Sequence, residues 1–539
     1  MRKGNYRLIL ILVLAFILRI VGLNFGFPFF LHPDETKIIE PALTIAFNIK
    51  TADFNPHFFY YPHFLMYLLV GIVQILKIIL LPFGTFSNLP KETFYLIARL
   101  ITVFFGTASV YLTYLIGKKV APKGWEERVG LMSALFLGTT FLHVRNSHYY
   151  TGDVPATFFM LLSFYFFLSG ILPKRDTPES GVSRLGIALA GVFAGIGIST
   201  KYYPALLLVL YIPALIYQYR KNFKAALLRC LLIVITAVLG FLMFTPYALL
   251  DNQKFLRTMK ESSLRSSSGF MGAASNNLFY YIYNKDSSID ESFSGNSLVE
   301  GLGWGFVFFV LFGVFLVFNN KTIKPYNNSL FLVFVIVALY YVFFSRYPTK
   351  LVRWLVPIVP FMSVLISYCI CRWKLNRVFF IVVCAFIIFP NLYKSIRFDY
   401  ALSRGDTRVR AYNYILENIP KGTPMIFESI LIHKMVEDGD YPLFQITHDR
   451  YNTKGEIEND YPPNLDEMLS TSNAKYIIVN GWARQKYFNP SSYTYFPEVS
   501  AAWRDFYNEI DKRFPKSVIF DPQSEKLSGP KITIYNVLY

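Results

Sequence analysis

The sequence predicts a polytopic α-helical membrane protein with a small α/β unit at its C-terminal end, and three observations carry that prediction. The chain is 54% hydrophobic and only 16% charged, with a mean hydropathy of +0.37, far from the balance of soluble domains. Its apolar residues gather into runs approaching the roughly 20 residues that carry a helix across a hydrocarbon layer. The net charge of +18 is confined to one part of the chain. From Ala401 to Tyr539 there are 16 basic against 18 acidic residues, which leaves 37 against 17 for the first 400. That excess sits mostly in short loops between apolar runs, as topology signals do, rather than along a phosphate-tracking groove. Membrane lipid is therefore the expected surroundings, and nucleic acid is no partner.

The elements follow in order. Arg2, Lys3 and Arg7 precede an apolar run over 8–23 with no small-x-small cleavage site after it, so an uncleaved first span with a cytoplasmic N-terminus is expected. Further spans are predicted over 94–117, 129–144, 154–172, 185–199, 204–217, 225–250, 301–318, 330–344, 351–371 and 378–392, about eleven in all. The run 58–83 is apolar enough to cross but contains His63, Gln74 and Lys77 between Pro62 and Pro82. Charge parity decides against crossing. If 58–83 stays on one side, the basic loops around Lys118, Arg184, Lys221, Lys321 and Arg372 all fall on the cytoplasmic side. It is therefore read as a re-entrant or interfacial helix. Cys230, Cys369, Cys371 and Cys384 all lie inside apolar runs, as buried small hydrophobes rather than disulfides or metal ligands.

This parity puts the loops 24–57, 145–153, 251–300 and 345–353 on the outer side of the plasma membrane. The segment from about 394 onward joins them, with charges of both signs and short apolar runs at 425–427 and 476–479. The division expected is a membrane module over 1–399, with the first outer loop and its juxtamembrane helices at 24–93, and a soluble extracytoplasmic α/β domain over 400–539.

Chemistry concentrates on the outer side. Asp34 and Glu35, in Leu31-His32-Pro33-Asp34-Glu35-Thr36, stand some ten residues beyond the first span at the start of a short predicted helix, 36–47. Two carboxylates there suit a general base or a metal ligand pair, and equally a helix cap with a dipole partner. No cofactor is called for, and an assisting divalent cation stays open. Arg99, Lys201, Arg346, Lys350 and Arg353 run against the positive-inside trend. Singly each reads as a snorkelling cation; together they suit an anion such as a lipid phosphate. Arg19, inside the first span, has the same two readings. Asp153 heads the span at 154–172, either as its cap or as a second acidic wall of the same cavity. The histidines His57, His63, His143 and His148 match no zinc spacing.

On these residues the chain resembles the GT-C superfamily of membrane glycosyltransferases, in the branch of the dolichyl-phosphate-mannose protein mannosyltransferases and the bacterial lipid A aminoarabinose transferases. His32-Pro33-Asp34-Glu35-Thr36 matches their acidic pair and first juxtamembrane helix, and Tyr61-Pro62-His63-Phe64 the start of the second. Ala98-Arg99-Leu100 through Ile116-Gly117-Lys118-Lys119, Asp153-Val154-Pro155-Ala156, Gly195 through Lys201, and Arg353-Trp354-Leu355-Val356-Pro357 resemble later stretches in the same order. The resemblance implies a GT-C fold and an inverting transfer of a sugar from a polyprenyl-phosphate donor to an acceptor glycan, lipid or protein. Asp34 would be the general base, and Glu35 would hold the acceptor or tune Asp34. Arg99, Lys201, Lys350 and Arg353 would stabilise the leaving phosphate, and Asp153, Arg346, His63 and Tyr61 would line the same site. The chain departs from that branch in having fewer spans than the aminoarabinose transferases and no repeat-rich soluble insertion. Two rivals remain at this point: a lipid-linked sugar transporter or flippase, which needs the cations but no base, and a non-catalytic assembly or sensor protein.

Overall fold

A computed structural model describes residues 5–49, 53–84, 86–172, 183–267, 269, 275–283, 297–319, 329–373, 375–428, 440–446, 461–490 and 496–537. The loop residues Lys174, Arg175, Lys321, Lys324 and Lys374, and much of 268–296, lie outside these residues.

The described residues up to 418 are mainly helical. In order they form α1 (Asn5–Ile20), α2 (Pro33–Phe47), α3 (Phe64–Leu80), α4 (Lys91–Val120), α5 (Glu126–Thr139), α6 (Phe141–Asn146), α7 (Asp153–Ile171), α8 (Arg184–Ile198) and α9 (Leu206–Gln218). These are followed by α10 (Phe223–Phe244), α11 (Tyr247–Leu250), α12 (Asn252–Ser267), α13 (Leu298–Leu302), α14 (Trp304–Asn319), α15 (Ser329–Ser345), α16 (Val359–Arg372), α17 (Arg377–Arg404) and α18 (Thr407–Asn418). Helices α4, α7 and α16 make the centre and are buried over most of their length. At the periphery α10 and α17 keep Leu228, Ile235, Leu239, Ile381, Val382 and Phe389 exposed. Apolar side chains facing outward all along a helix are what hydrocarbon surroundings permit. Where α8 crosses α10 the backbones nearly touch: a Cβ on Gly195 would stand 2.1 Å from the Ala237 carbonyl oxygen, so only glycine fits.

Among the described residues, six helices are long and apolar enough to cross a membrane, at Phe64–Phe83, Lys91–Val120, Asp153–Ile171, Phe223–Phe244, Val352–Arg372 and Arg377–Arg404. The expected count of eleven continuous spans is not what the helices give. The run 129–144 breaks at Thr140, whose extended backbone separates α5 from the six-residue α6. The run 225–250 breaks at Thr245-Pro246, since proline cannot donate the helix bond. Several other apolar helices are shorter than 18 residues. The last span, in turn, is longer than its apolar run, and α17 passes unbroken through residue 400 to end at Gly405, with φ +115.

Beyond α18 lies a five-stranded sheet of order β2-β1-β3-β5-β4. Its strands are β1 (Met425–Glu428), β2 (Leu443–Ile446), β3 (Tyr476–Asn480), β4 (Lys516–Phe520) and β5 (Ile532–Asn536). β1 runs parallel to β2 and β3, and β5 antiparallel to β3 and β4. Alternation divides the side chains. Ile426, Ile477, Val479 and Tyr535 meet Trp503, Phe506 and Tyr507 on one face, while Met425, Phe427, Ile478 and Ile534 meet Ala411, Tyr412 and Ile415 of α18 on the other.

Candidate active site

The acidic pair is held at one end of the bundle by how α2 begins. His32 is the extended residue before the helix, Pro33 occupies its first turn, and Asp34 and Glu35 follow at once. No side chain caps this helix at His32. The two carboxylates turn instead to separate cations, which removes the capping alternative.

Glu35 points inward. Its carboxylate accepts from Arg99 Nε at 2.9 Å and Nη2 at 2.7 Å, and from the Tyr150 backbone N–H at 2.9 Å. Arg99 Nη1 donates onward to the carbonyls of Leu23 (2.5 Å) and Phe25 (3.0 Å), and its guanidinium lies 4.0 Å over the Phe25 ring. Both side chains are fully buried. Arg99 was expected to face a leaving phosphate, and Glu35 to hold the acceptor or tune Asp34. Their donors and acceptors are committed to each other and to the loop 22–27, so the pair shapes the floor beneath Asp34.

Asp34 turns to a different cation. Its Oδ2 accepts from Arg353 Nη1 at 2.5 Å, and the Tyr61 hydroxyl also donates to this carboxylate. Arg353 Nε is buried without a partner among the described residues. Burial pushes the Asp34 carboxyl up, but Arg353 and the Tyr61 hydroxyl outweigh it and hold it well below the usual carboxylate range. Burial and the neighbouring Asp34 charge push the Tyr61 phenol up. Beside this pair, Asp153 in the first turn of α7 accepts from Lys201 at 2.5 Å. Gly152, not Asp153, stands at the cap position. Burial pulls the Lys201 ammonium down, opposed by Asp153. The two ion pairs sense each other, since Asp34 and Arg353 both act on Lys201 and Asp153 acts on Arg353.

The remaining candidates are spread around this quartet. Lys350 is buried and donates to the carbonyls of Ser345 (2.6 Å) and Tyr347 (2.5 Å). Burial lowers its ammonium to about 8, and it clamps its own loop rather than facing the carboxylates. Arg346 is exposed. His63 bonds the Phe58 carbonyl through Nε2 at 3.1 Å and, with its ring on Phe59, stands at the head of α3. The sequence offered no sign of the Tyr150 N–H as the partner of Glu35, nor of His32 stacked on Tyr149 at 4.3 Å; both depend on the turn 147–153 folding back over the first loop. Among the described residues no group of three His, Cys, Asp or Glu side chains is placed to hold a metal.

The chain resembles the GT-C superfamily of membrane glycosyltransferases in its fold and in part of its sequence. The family model of the dolichyl-phosphate-mannose-protein mannosyltransferases matches residues 60–262, a stretch that holds Arg99, Asp153 and Lys201. The fold is similar over its whole length to ArnT from Cupriavidus metallidurans bound to undecaprenyl phosphate, with a TM-score of 0.56, 14% identity, and coverage of 100% of this chain and 99% of that one. It is also similar to the archaeal oligosaccharyltransferase AglB from Archaeoglobus fulgidus in complex with an inhibitory peptide and a dolichol-phosphate, with a TM-score of 0.51, 11% identity, and coverage of 97% and 74%. Comparison with curated protein sequences gives no match. The resemblance is to the branch of the protein mannosyltransferases and ArnT.

Proposed function

We propose that this protein is an inverting glycosyltransferase that moves a sugar from a polyprenyl-phosphate donor to an acceptor hydroxyl on the outer side of the plasma membrane. The observation that carries this reading is the juxtaposition of the carboxylate of Asp34, paired with Arg353, and a second ion pair between Lys201 and Asp153. A transferase of this kind needs a base for the acceptor beside cations for the leaving phosphate. Asp34 takes the acceptor proton while the acceptor oxygen bonds to the anomeric carbon. The bond from that carbon to the phosphate oxygen breaks, and its electron pair leaves on the phosphate, next to Arg353 and Lys201. Glu35 and Arg99 serve as positioning residues beneath the base. The lipid phosphates bound in the similar structures, undecaprenyl phosphate and dolichol-phosphate, support a lipid phosphate as the leaving group.

The membrane module and the C-terminal sheet then divide the work, the second covering the outer mouth of the first, with the N-terminus cytoplasmic. Mass analysis of cell-surface glycans and glycoproteins in a deletion strain names the sugar and acceptor. With that donor, purified Asp34→Asn is expected to lose about 10²- to 10⁴-fold in transfer rate, the usual worth of a general base. Transfer at the wild-type rate overturns the catalytic assignment and favours a carrier of lipid-linked sugar.

A further inference from the structure

Asp34 and Arg353 contradict each other's proposed roles as they stand. A base locked to a guanidinium at 2.5 Å is a poor base, and a guanidinium locked to a carboxylate is not free for phosphate. Two features of Arg353 bear on this. It spends only Nη1 on Asp34, while its Nε is buried with no partner among the described residues. A guanidinium fork engaged at one prong has room for a second, tetrahedral acceptor. The surrounding charges balance in this state, with Asp34 and Asp153 facing Arg353 and Lys201. A donor phosphodiester adds one negative charge, so three anions then compete for two cations. The Lys201 and Asp153 side chains are 16% and 1% exposed, against 29% for Arg353 and 12% for Asp34, so the second pair is the more accessible of the two to an incoming group.

We propose that Arg353 exchanges Asp34 for the donor phosphate, so that donor binding itself releases the base. The exchange rests on the polyprenyl-phosphate reading above. Before the donor enters, Asp34 is held ionised and weak. Once Arg353 turns to the phosphate, burial and the added negative charge both favour the protonated carboxyl, which is the state it must reach on taking the acceptor proton. The acceptor is therefore activated only when a donor is in place, and a water molecule in the empty site is not.

Affinity for a polyprenyl phosphate, measured on the full-length protein in detergent, tests the exchange without any turnover. Asp34→Asn removes the competitor for Arg353, and its affinity is expected to rise about tenfold over wild type. Arg353→Gln is expected to lose about tenfold. In the Arg353→Gln background the gain from Asp34→Asn should vanish, because no guanidinium remains to be released. Unchanged or weaker affinity in Asp34→Asn overturns the exchange. So does an equal gain in the Arg353→Gln background, which would mark a general relief of negative charge. Should the variants not fold, the wild type carries the test through binding of a polyprenyl methyl phosphodiester, whose headgroup does not titrate, at pH 5 in buffers of differing ionisation heat. Proton uptake on binding is expected, and a buffer-independent heat overturns the proposal. If polyprenyl phosphate binds but these signatures are absent, the exchange alone falls. If no polyprenyl phosphate binds, the donor assignment falls with it.

Discussion

Glu35 and Asp34 are neighbours in sequence with opposite fates, and single substitutions separate them. Glu35 and Arg99 are both fully buried, so neutralising one leaves the other as an uncompensated charge. Glu35→Gln is expected to cost about 3–5 kcal/mol, seen as a lower thermal inactivation temperature in detergent. Glu40→Gln, in a half-exposed pair with Lys91, should cost at most about 1 kcal/mol; equal losses would mean that burial of the Glu35 pair carries no special weight. Asp34 is tested by pH. Its folded value lies below its unfolded one, so the pair with Arg353 adds stability above about pH 4 and loses it only as pH falls through the depressed value. The acid limb of kcat/KM for the donor, which reports the free enzyme, should then lie below the ordinary carboxylate range. In Arg353→Gln burial dominates, and the limb should move up. Absence of that upward move would show that Arg353 does not set the Asp34 charge. The position of Asp34 at the head of a short helix was legible in the sequence from Pro33 and the acidic residues after it, but whether it capped that helix or faced a cation was not. Nor was the role of Arg99, because charge and position do not say which of several carboxylates 64 or more positions away will claim a guanidinium.

At the scale of elements, hydropathy finds apolar runs but not where the backbone stops being helical within them. Thr140 breaks one run and Thr245-Pro246 another, and both breaks face the candidate site region: α6 leads into the turn that supplies the Tyr150 N–H, and Thr245 Oγ1 pairs with Ser199 at 2.6 Å and accepts from the His63 N–H. The helix α3 poses the opposite problem, since Phe64–Phe83 is long and apolar enough to cross. Its packing speaks for a course along one end of the bundle. Gln74, midway along it, donates to the Ala46 carbonyl at the end of α2, and Phe47 there packs on Phe94, one turn into α4 and ahead of Arg99. A helix plunging through the bilayer from His63 would carry Gln74 about 15 Å away from that level. Its exposed Ile75, Ile78 and Ile79 suit the acyl boundary. Cysteines placed at Asn48 and Asn88 should both react with an impermeant thiol reagent from outside intact cells. Labelling of only one would mean that α3 crosses and that every later loop changes side.

Across the whole molecule the two architectures meet at the loop that leads to Asp34. Arg408, in the first turn of α18, forks onto Asp406 at 2.7 and 2.8 Å and lies 5.0 Å over the Trp482 ring, just after β3. Its remaining prong donates to the Leu31 carbonyl at 3.3 Å, three residues before Asp34. Phe29 packs on Tyr412 of the same helix at 4.9 Å. The strands at 425–427 and 476–479 were readable from their apolar alternation, but a contact spanning 377 positions between α18 and the first loop has no local signature. Its consequence is that the sheet braces the segment from which α2 starts. Since a displacement of about 1 Å at a reacting group can cost about 10²-fold in rate, loosening that brace should be felt in turnover before binding. Arg408→Met alone would strand a buried carboxylate, so the informative variant is Arg408→Met with Asp406→Asn, which removes fork and partner together. Polyprenyl phosphate affinity is expected to hold or rise while kcat falls about tenfold or more, because Arg353 and Lys201 stand on other elements and a loosened Asp34 competes less for Arg353. Equal losses in affinity and kcat would instead mean that the sheet holds the cationic side of the site as well, and unchanged kcat that α2 keeps its place without it.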